Sequence, residues 1–215
     1  MKFEASYDPV LGETRVELAS NCYTDALPML PVIIFRQQDI DLKSQSLPLA
    51  VAILTARYCG EVFEFAGTKI GVDYADAIRM VLREGANINN VDGHFRTIST
   101  GEVDVVCEKA RGDRGTPVVP RLPDTVPLTR LDWSGDFVFP ETRSSALHAF
   151  GQVHTNAEFF ADQTRVSIAL GLLYGRDRVR NLYVEGPAED GVGELGGIGA
   201  ALATVAVDLC LLDLA

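Results

Sequence analysis

The stretch SLPLAVAILTARYCGEVFEFAGTKIGVDYADAIRMVLREG, residues 46–85, decides the fold class. Its first part, Leu47–Tyr58, is apolar on most faces, which predicts a helix that is buried on all sides. Glu61–Ala66 alternates in polarity and predicts a strand. Asp73 then has the position of an N-cap for a second helix that ends near Gly85. Helix, strand and helix in close succession predict an α/β or α+β protein with a mixed sheet.

The segments on either side of this unit predict further strands. Lys2–Tyr7 and Glu13–Ala19 alternate in polarity around a short turn and predict an antiparallel hairpin. Pro31–Phe35 predicts a short buried strand. His94–Ser99 and Glu102–Glu108 predict a second hairpin. The N-terminal half is therefore expected to contain antiparallel hairpins next to buried helices.

The last seventy residues repeat the same order of elements. Thr155 and Glu158 match a capping box and predict the start of a helix, and Arg178–Glu185 predicts a strand. Apolar residues then recur every three or four positions in Leu195–Leu212, which predicts a final buried helix. The repeated order has two interpretations, a duplicated α-β-α unit or an ordinary α/β arrangement that happens to resemble one.

Five prolines between residues 110 and 145 indicate a loop or linker, with a short strand at Asp136–Phe139. The sequence is accordingly interpreted as an N-terminal α/β half (1–109), a proline-rich connection (110–145) and a C-terminal α-β-α half (146–215). At this length the halves form either one continuous domain or two small ones.

Composition narrows the class of partner and the compartment. Thirty acidic against nineteen basic residues give a formal net charge of −11, which disfavours binding to nucleic acid or to anionic membranes. Four scattered cysteines without metal-ligand spacing suit a reducing compartment. The longest nearly apolar run, Leu47–Ala56, is too short to span a bilayer. These features predict a soluble cytoplasmic protein.

A glycine-rich segment near the C-terminus matches the pattern G-x-G-x-x-G at Gly191, Gly193 and Gly196. Following a strand and opening a helix, such glycines can bind a phosphate-bearing ligand. Neighbouring Glu189 and Asp190 would repel an anion, and no strand with a ribose-binding acid follows. The simpler interpretation is that the glycines permit close packing, with ligand binding as the alternative. No cofactor is specified.

His154 and Glu158 are four residues apart and would meet on one helix face, as a metal or proton-transfer pair requires. The capping box explains Glu158 more simply, so no metal site is predicted. The remaining weak candidates for catalysis are residues in or near the loops that follow the predicted strands. They are Lys69, Asp73, His154, Glu189 and Asp190.

Two functional hypotheses follow. The first is an accessory or partner-binding protein within a homo- or hetero-oligomeric assembly, since motifs are few and proline-rich arms often dock on other proteins. The second is a small-molecule enzyme or ligand-binding protein whose site lies at the loops Gly67–Asp73 and Gly186–Gly196, after strands 61–66 and 178–185. A pocket that gathers a histidine with two acids would favour the second; an exposed apolar patch would favour the first.

Overall fold

A computed structural model describes residues 1–36, 40–82, 85–94, 98–109, 128–134, 151–186 and 192–212. Within these residues, ten strands form one mixed sheet accompanied by four α-helices, which confirms the predicted fold class. In chain order the elements are β1 (Lys2–Asp8), β2 (Glu13–Ala19), β3 (Val32–Arg36), α1 (Ser46–Thr55), β4 (Val62–Phe65), β5 (Ile70–Gly71), α2 (Val72–Val81), β6 (Asn87–Ile88), β7 (Val91–Asp92), β8 (Val103–Lys109), β9 (Leu128–Ser134), β10 (Gly151–Thr155), α3 (Gln163–Gly175), β11 (Val179–Glu185), α4 (Val192–Thr204) and β12 (Asp208–Leu212).

The strands of the sheet lie in the order β12-β11-β8-β9-β10-β3-β2-β1-β4-β6. The five strands from β12 to β10 are parallel, and β1, β4 and β6 are parallel at the other end. Between these groups, β10, β3, β2 and β1 alternate in direction. Three antiparallel steps therefore separate β11 from β4, so these two strands run in opposite directions. The short strands β5 and β7 form a separate parallel pair.

The sheet has two matching halves that meet at the antiparallel pair β3 and β10. Outward from this centre, β3-β2-β1-β4-β6 corresponds place by place to β10-β9-β8-β11-β12. Helices α1 and α2 precede β4 and β6 in the chain, as α3 and α4 precede β11 and β12. The halves differ at β2, which is antiparallel to β1, whereas β9 is parallel to β8. The order repeated in the sequence is thus repeated in the sheet.

The four helices pack against one another, and the sheet curves around them. All ten residues of α1 are buried, and α1 packs on α3 while α2 packs on α4. A flat sheet of ten strands would be about 43 Å wide. Because α2 leads to the edge strand β6 and α4 to the opposite edge strand β12, their contact requires the sheet to curve around the helices.

The start of α1 is capped by a residue from the C-terminal half. The side chain of Gln45, the N-cap residue, makes no capping hydrogen bond, and the neighbouring Ser44 hydroxyl accepts only from the N–H of Ser46 (3.2 Å). Instead the Asp177 carboxylate accepts hydrogen bonds from the backbone N–H groups of Gln45 (3.1 Å) and Ser46 (2.9 Å), and from the hydroxyls of Ser44 (3.0 Å), Ser46 (2.9 Å) and Tyr74 (3.2 Å). A carboxylate at a helix N-terminus satisfies unpaired N–H groups and the helix dipole together. Asp177 therefore joins the two halves.

The predicted hairpin of His94–Ser99 with Glu102–Glu108 is wrong. β8 pairs in parallel with β9 and β11. The backbone N–H groups of Ser99 and Thr100 donate to Val205 and Asp177 instead of forming a ladder with β8. The alternation of residues 102–108 marks a strand correctly, but its partners lie far away in the chain.

The predicted helix start at Thr155 is also wrong. Thr155 ends β10, and its hydroxyl accepts from the N–H of Ala157 (3.1 Å). Glu158 lies in a single 3-10 turn, and α3 begins only at Gln163. Asp162 is the real N-cap residue, since its carboxylate accepts from the N–H of Arg165 (2.9 Å). The predicted N-cap Thr155 lies seven residues, about two turns, before the real N-cap Asp162.

The predicted final helix Leu195–Leu212 is right for its first part only. α4 ends at Thr204, Ala206 has a positive φ of 60°, and β12 follows. Positive φ is costly for a residue with a side chain and breaks the helix. Val205, Val207, Leu209 and Leu211 also alternate at a spacing of two, so the apolar pattern fitted both periods.

The predicted proline-rich connection contains a strand of the sheet. Residues Leu128–Ser134 form β9, between β8 and β10, so 110–145 is not linker throughout. This stretch is free of proline and directly follows Pro127, which obscured it. The strand expected at Asp136–Phe139 lies outside the described residues.

Candidate functional sites

The two loops predicted to form one site lie at opposite edges of the sheet. The first follows β4 and the second follows β11, and these strands run in opposite directions with six strands between them. Gly67–Asp73 and the start of the second loop at Gly186 therefore follow strand ends that point in opposite directions. Glu189, Asp190 and Gly191 lie outside the described residues.

The glycines of the G-x-G-x-x-G segment do not all lie in a loop. Gly193 and Gly196 are within α4, which begins at Val192. Gly196 is exposed, and a Cβ atom there would meet nothing within 4 Å. Close packing therefore does not require glycine at position 196.

His154 and Glu158 do not share a helix face. His154 is in β10, opposite Arg36 of β3, and Glu158 follows in the 3-10 turn. Asp73 is in the first turn of α2 but does not cap it, because the N-cap residue is Gly71 without a side-chain hydrogen bond. In the part of the chain that the structure describes, no three His, Cys, Asp or Glu side chains come together as a metal site.

Lys69 lies at an open cavity of about 410 Å³ between the turns that follow β4 and β6. Gly67 and Asn90 both adopt positive φ in these turns, 75° and 62°. The Asn90 amide donates to the Phe65 carbonyl (3.2 Å), which holds one turn against the other. The cavity is lined by Gly67, Thr68, Lys69, Asn90, Val91, Asp92 and Gly93.

The cavity carries one cation and one anion. The Lys69 ammonium lies 3.3 Å from the Asp92 carboxylate and is 81% exposed. Hydrogen bonding from the backbone N–H of His94, and then from Lys69, lowers the pKa of Asp92, so this carboxylate is ionised at neutral pH. The Gln45 side chain binds both the Lys69 carbonyl (2.9 Å) and the Gly71 N–H (2.7 Å), which fixes the loop to the start of α1. The sequence identified Lys69, whereas Asn90 and Asp92 were not among its candidates.

A second feature was not expected from the sequence. The connection between β2 and β3, residues 20–31, exposes four large apolar side chains, and exposed Phe159 is joined to this connection through Tyr58. Tyr58 links the two regions, since its carbonyl accepts from the N–H of Ala26 (3.0 Å) and its hydroxyl donates to the Phe159 carbonyl (3.3 Å). We call the set the apolar surface: Tyr23 (95% exposed), Leu27 (50%), Met29 (102%), Leu30 (45%) and Phe159 (61%).

The connection that carries this surface is anchored by Asp25. Its carboxylate accepts from the N-terminal ammonium of Met1 (2.9 Å) and from the backbone N–H groups of Asn21 (2.9 Å), Cys22 (3.3 Å) and Gly60 (2.9 Å). The Asp25 and Met1 side chains are both 0% exposed. Burial raises the pKa of Asp25, but the hydrogen bonds from the ammonium and from Asn21 and Gly60 outweigh it and bring the pKa to about 2. The anchor is therefore charged at neutral pH.

Gly60 brings the chain after α1 into direct contact with the same connection. A Cβ atom at position 60 would overlap the Thr24 side chain and lie 2.8 Å from the Thr24 carbonyl carbon. Only glycine permits this approach. The apolar surface is thus displayed by a segment that is fixed to the body of the protein at several points.

Comparison with protein-family models, with curated protein sequences and with solved structures found no match to this chain. Among the described residues, no helix has the length and apolar character needed to cross a membrane.

Proposed function

We propose that this protein is an accessory protein that binds a protein partner through the apolar surface. The observation that carries the proposal is the concentration of Tyr23, Leu27, Met29 and Leu30 on one short exposed connection. Aromatic side chains alone offer roughly 150–250 Å² each, so the five residues together expose on the order of 600 Å². Exposed apolar patches of this size commonly mark interaction sites.

The anchoring of the connection supports the same role. Each residue whose backbone must be ordered on binding costs roughly 1–2 kcal/mol. Because Asp25 and Gly60 fix the backbone before any partner arrives, a large part of this cost is absent. A disordered loop of the same composition would bind more weakly.

Photocrosslinking in cells tests the proposal. A photoreactive amino acid replaces Met29 in one variant and Val10 in a control variant, since Val10 is 90% exposed but lies in the β1–β2 turn. We expect a discrete protein adduct at position 29, at least about tenfold stronger than at position 10, as a central hot-spot position predicts. The mass of the adduct distinguishes a second copy of this chain from another protein. Equal crosslinking at both positions, or none at position 29, would contradict the proposal.

We place this function in the cytoplasm as part of the same proposal. The support is that Cys22, Cys59, Cys107 and Cys210 are all free thiols, as expected in a reducing compartment.

Ligand binding at the cavity between the β4 and β6 turns is a second candidate, favoured by the facing Lys69 and Asp92. We expect at least one compound from a library of small polar metabolites to shift the backbone amide NMR signals of Thr68, Asn90 and Gly93. Lys69→Ala should weaken that compound about tenfold, since a hydrogen bond to a charged group contributes about 1.5–3 kcal/mol, whereas exposed Lys43→Ala should leave it unchanged. If no compound shifts these amides, or if both variants behave alike, the candidate is excluded.

A further inference from the structure

We infer that the partner segment covering the apolar surface is basic, with apolar residues along one face and Lys or Arg along its edges. This inference rests on the proposed docking function and names the chemistry of the partner. It is carried by acidic side chains that flank the apolar surface on two sides.

The first flank is a like-charged pair on the exposed side of β1 and β2. Glu4 and Glu17 are directly opposite in the antiparallel register, and both are exposed. Opposite residues in such a pair have Cβ atoms about 5 Å apart, and like charges there are destabilising. The Leu18 N–H donates to the Pro31 carbonyl (2.9 Å), which places Glu17 beside the end of the connection that carries Leu30. A cation from a partner would relieve this repulsion.

The second flank is Glu61, which follows α1 and is exposed. Its backbone N–H donates to the Thr24 hydroxyl (3.2 Å), so Glu61 is next to the segment that carries Tyr23. Acidic side chains therefore lie near both ends of the connection, at Leu30 and at Tyr23.

The cations nearby do not neutralise these acids. Lys2 is opposite Glu64 on β4. The Arg57 guanidinium is 4.7 Å from the centre of the Tyr58 ring and donates to the Phe159 carbonyl (2.8 Å). Arg15 shares the face of Glu17 but is paired with Glu13. Lys2 and Arg57 thus stand against four acids, Glu4, Glu17, Glu61 and Glu64, and the surroundings of the apolar surface keep an excess of negative charge.

Charge also decides between the two kinds of protein partner. A second copy would bring its own Glu4, Glu17 and Glu61 against the same acids, and each copy has a formal net charge of −11. Like charges facing each other oppose association, whereas a basic segment is attracted from a distance and gains specificity. The geometry therefore favours a basic partner over self-association.

Three synthetic helical peptides of about 18 residues, long enough to sustain helix, test the inference with the full chain. They share one leucine face and carry Lys, Gln or Glu on the polar face, and their affinities are measured by fluorescence anisotropy. At about 50 mM salt we expect the Lys peptide to bind about tenfold more tightly than the Gln peptide, and the Glu peptide most weakly. At about 0.5 M salt the differences should nearly vanish because exposed charges are screened.

Substitutions of Glu4 and Glu17 test whether these two acids cause the preference for the Lys peptide. Glu4→Gln combined with Glu17→Gln should weaken the Lys peptide about fivefold, leave the Gln peptide unchanged and raise the melting temperature, which shows that the fold is intact. Asp208→Asn, at an exposed acid of β12, is the control and should change neither affinity.

The outcomes separate this inference from the docking function. If all three peptides bind equally and Tyr23→Ser with Met29→Ser abolishes their binding, the docking function stands and the basic partner is excluded. If the chain forms a homodimer that Tyr23→Ser with Met29→Ser dissociates, the docking function again stands and the basic partner is again excluded. If no peptide shows binding that depends on Tyr23 and Met29, both proposals are overturned.

Discussion

Replacing Asp177 with alanine is expected to lower the free energy of unfolding by about 4 kcal/mol. Hydrogen bonds to charged groups contribute about 1.5–3 kcal/mol each, and they are not additive within one cluster. The substitution removes the acceptor of the Gln45 N–H group and leaves the Ser46 N–H group with the Ser44 hydroxyl alone. The buried Tyr74 hydroxyl keeps only the Ser46 hydroxyl, at 3.5 Å. It also removes a contact between the C-terminal half of the chain and the start of α1. Urea unfolding followed by circular dichroism measures the change.

Two control substitutions show whether the loss of stability comes from the Asp177 carboxylate itself. Asp208→Ala, at an exposed position, should change the free energy of unfolding by less than about 0.5 kcal/mol. Asp177→Asn keeps an acceptor oxygen but loses the charge, so it should cost less than Asp177→Ala. A loss below about 1 kcal/mol for Asp177→Ala would show that another group caps α1, since this is the typical value of a single ordinary cap.

Replacing Asp25 with alanine is expected to cost about 3–5 kcal/mol of stability, the usual effect of removing one partner of a buried ion pair. The Met1 ammonium would lose its counterion, and the N–H groups of Asn21 and Gly60 would lose their acceptor. Crosslinking at Met29 should also fall about tenfold, although no apolar side chain is altered, because the connection is no longer fixed. Asp8→Ala is the matched control, since Asp8 accepts from Val10 and Leu11 in another exposed turn. Unchanged crosslinking in Asp25→Ala would show that the anchor is irrelevant to docking.

The same carboxylate makes stability depend on pH in a defined direction. The pKa of Asp25 is lowered from 3.8 to about 2 in the folded protein, so its ionised form favours folding. This contribution, about 2 kcal/mol, is fully present above about pH 4 and is lost as the pH falls through about 2. The stability difference between the native sequence and Asp25→Ala should therefore shrink over this interval.

Local patterns predicted the elements that can be recognised from their own residues without knowledge of their partners. The hairpin of β1 and β2, the buried helix α1 and the strands β4 and β11 all follow from alternation or from continuous apolar character. The partners of β8 could not be predicted, because they lie in distant segments. The end of α4 was missed because residues after Thr204 fit a helical and an alternating period equally well.

The candidate sites were predicted less completely, for related reasons. Lys69 could be identified because a loop after a strand is a common place for ligands, whereas Asp92 is brought to it by the separate pairing of β5 and β7. Leu27, Met29 and Leu30 resemble core residues in the sequence, and only the structure shows that they are exposed. Asp177 contacts a helix start 131 residues away, and no local signal indicates such a contact.

Amide hydrogen exchange of the free protein tests most directly whether the apolar surface is displayed by a fixed connection. The N–H groups of Asn21, Cys22 and Ala26 are hydrogen-bonded to Asp25 or Tyr58. Exchange at these three amides should be slowed at least about a hundredfold relative to an unstructured chain, as local opening with a few kcal/mol requires, and Asp25→Ala should remove the protection at Asn21 and Cys22. Exchange at the unstructured rate in the native sequence would contradict a preorganised docking surface.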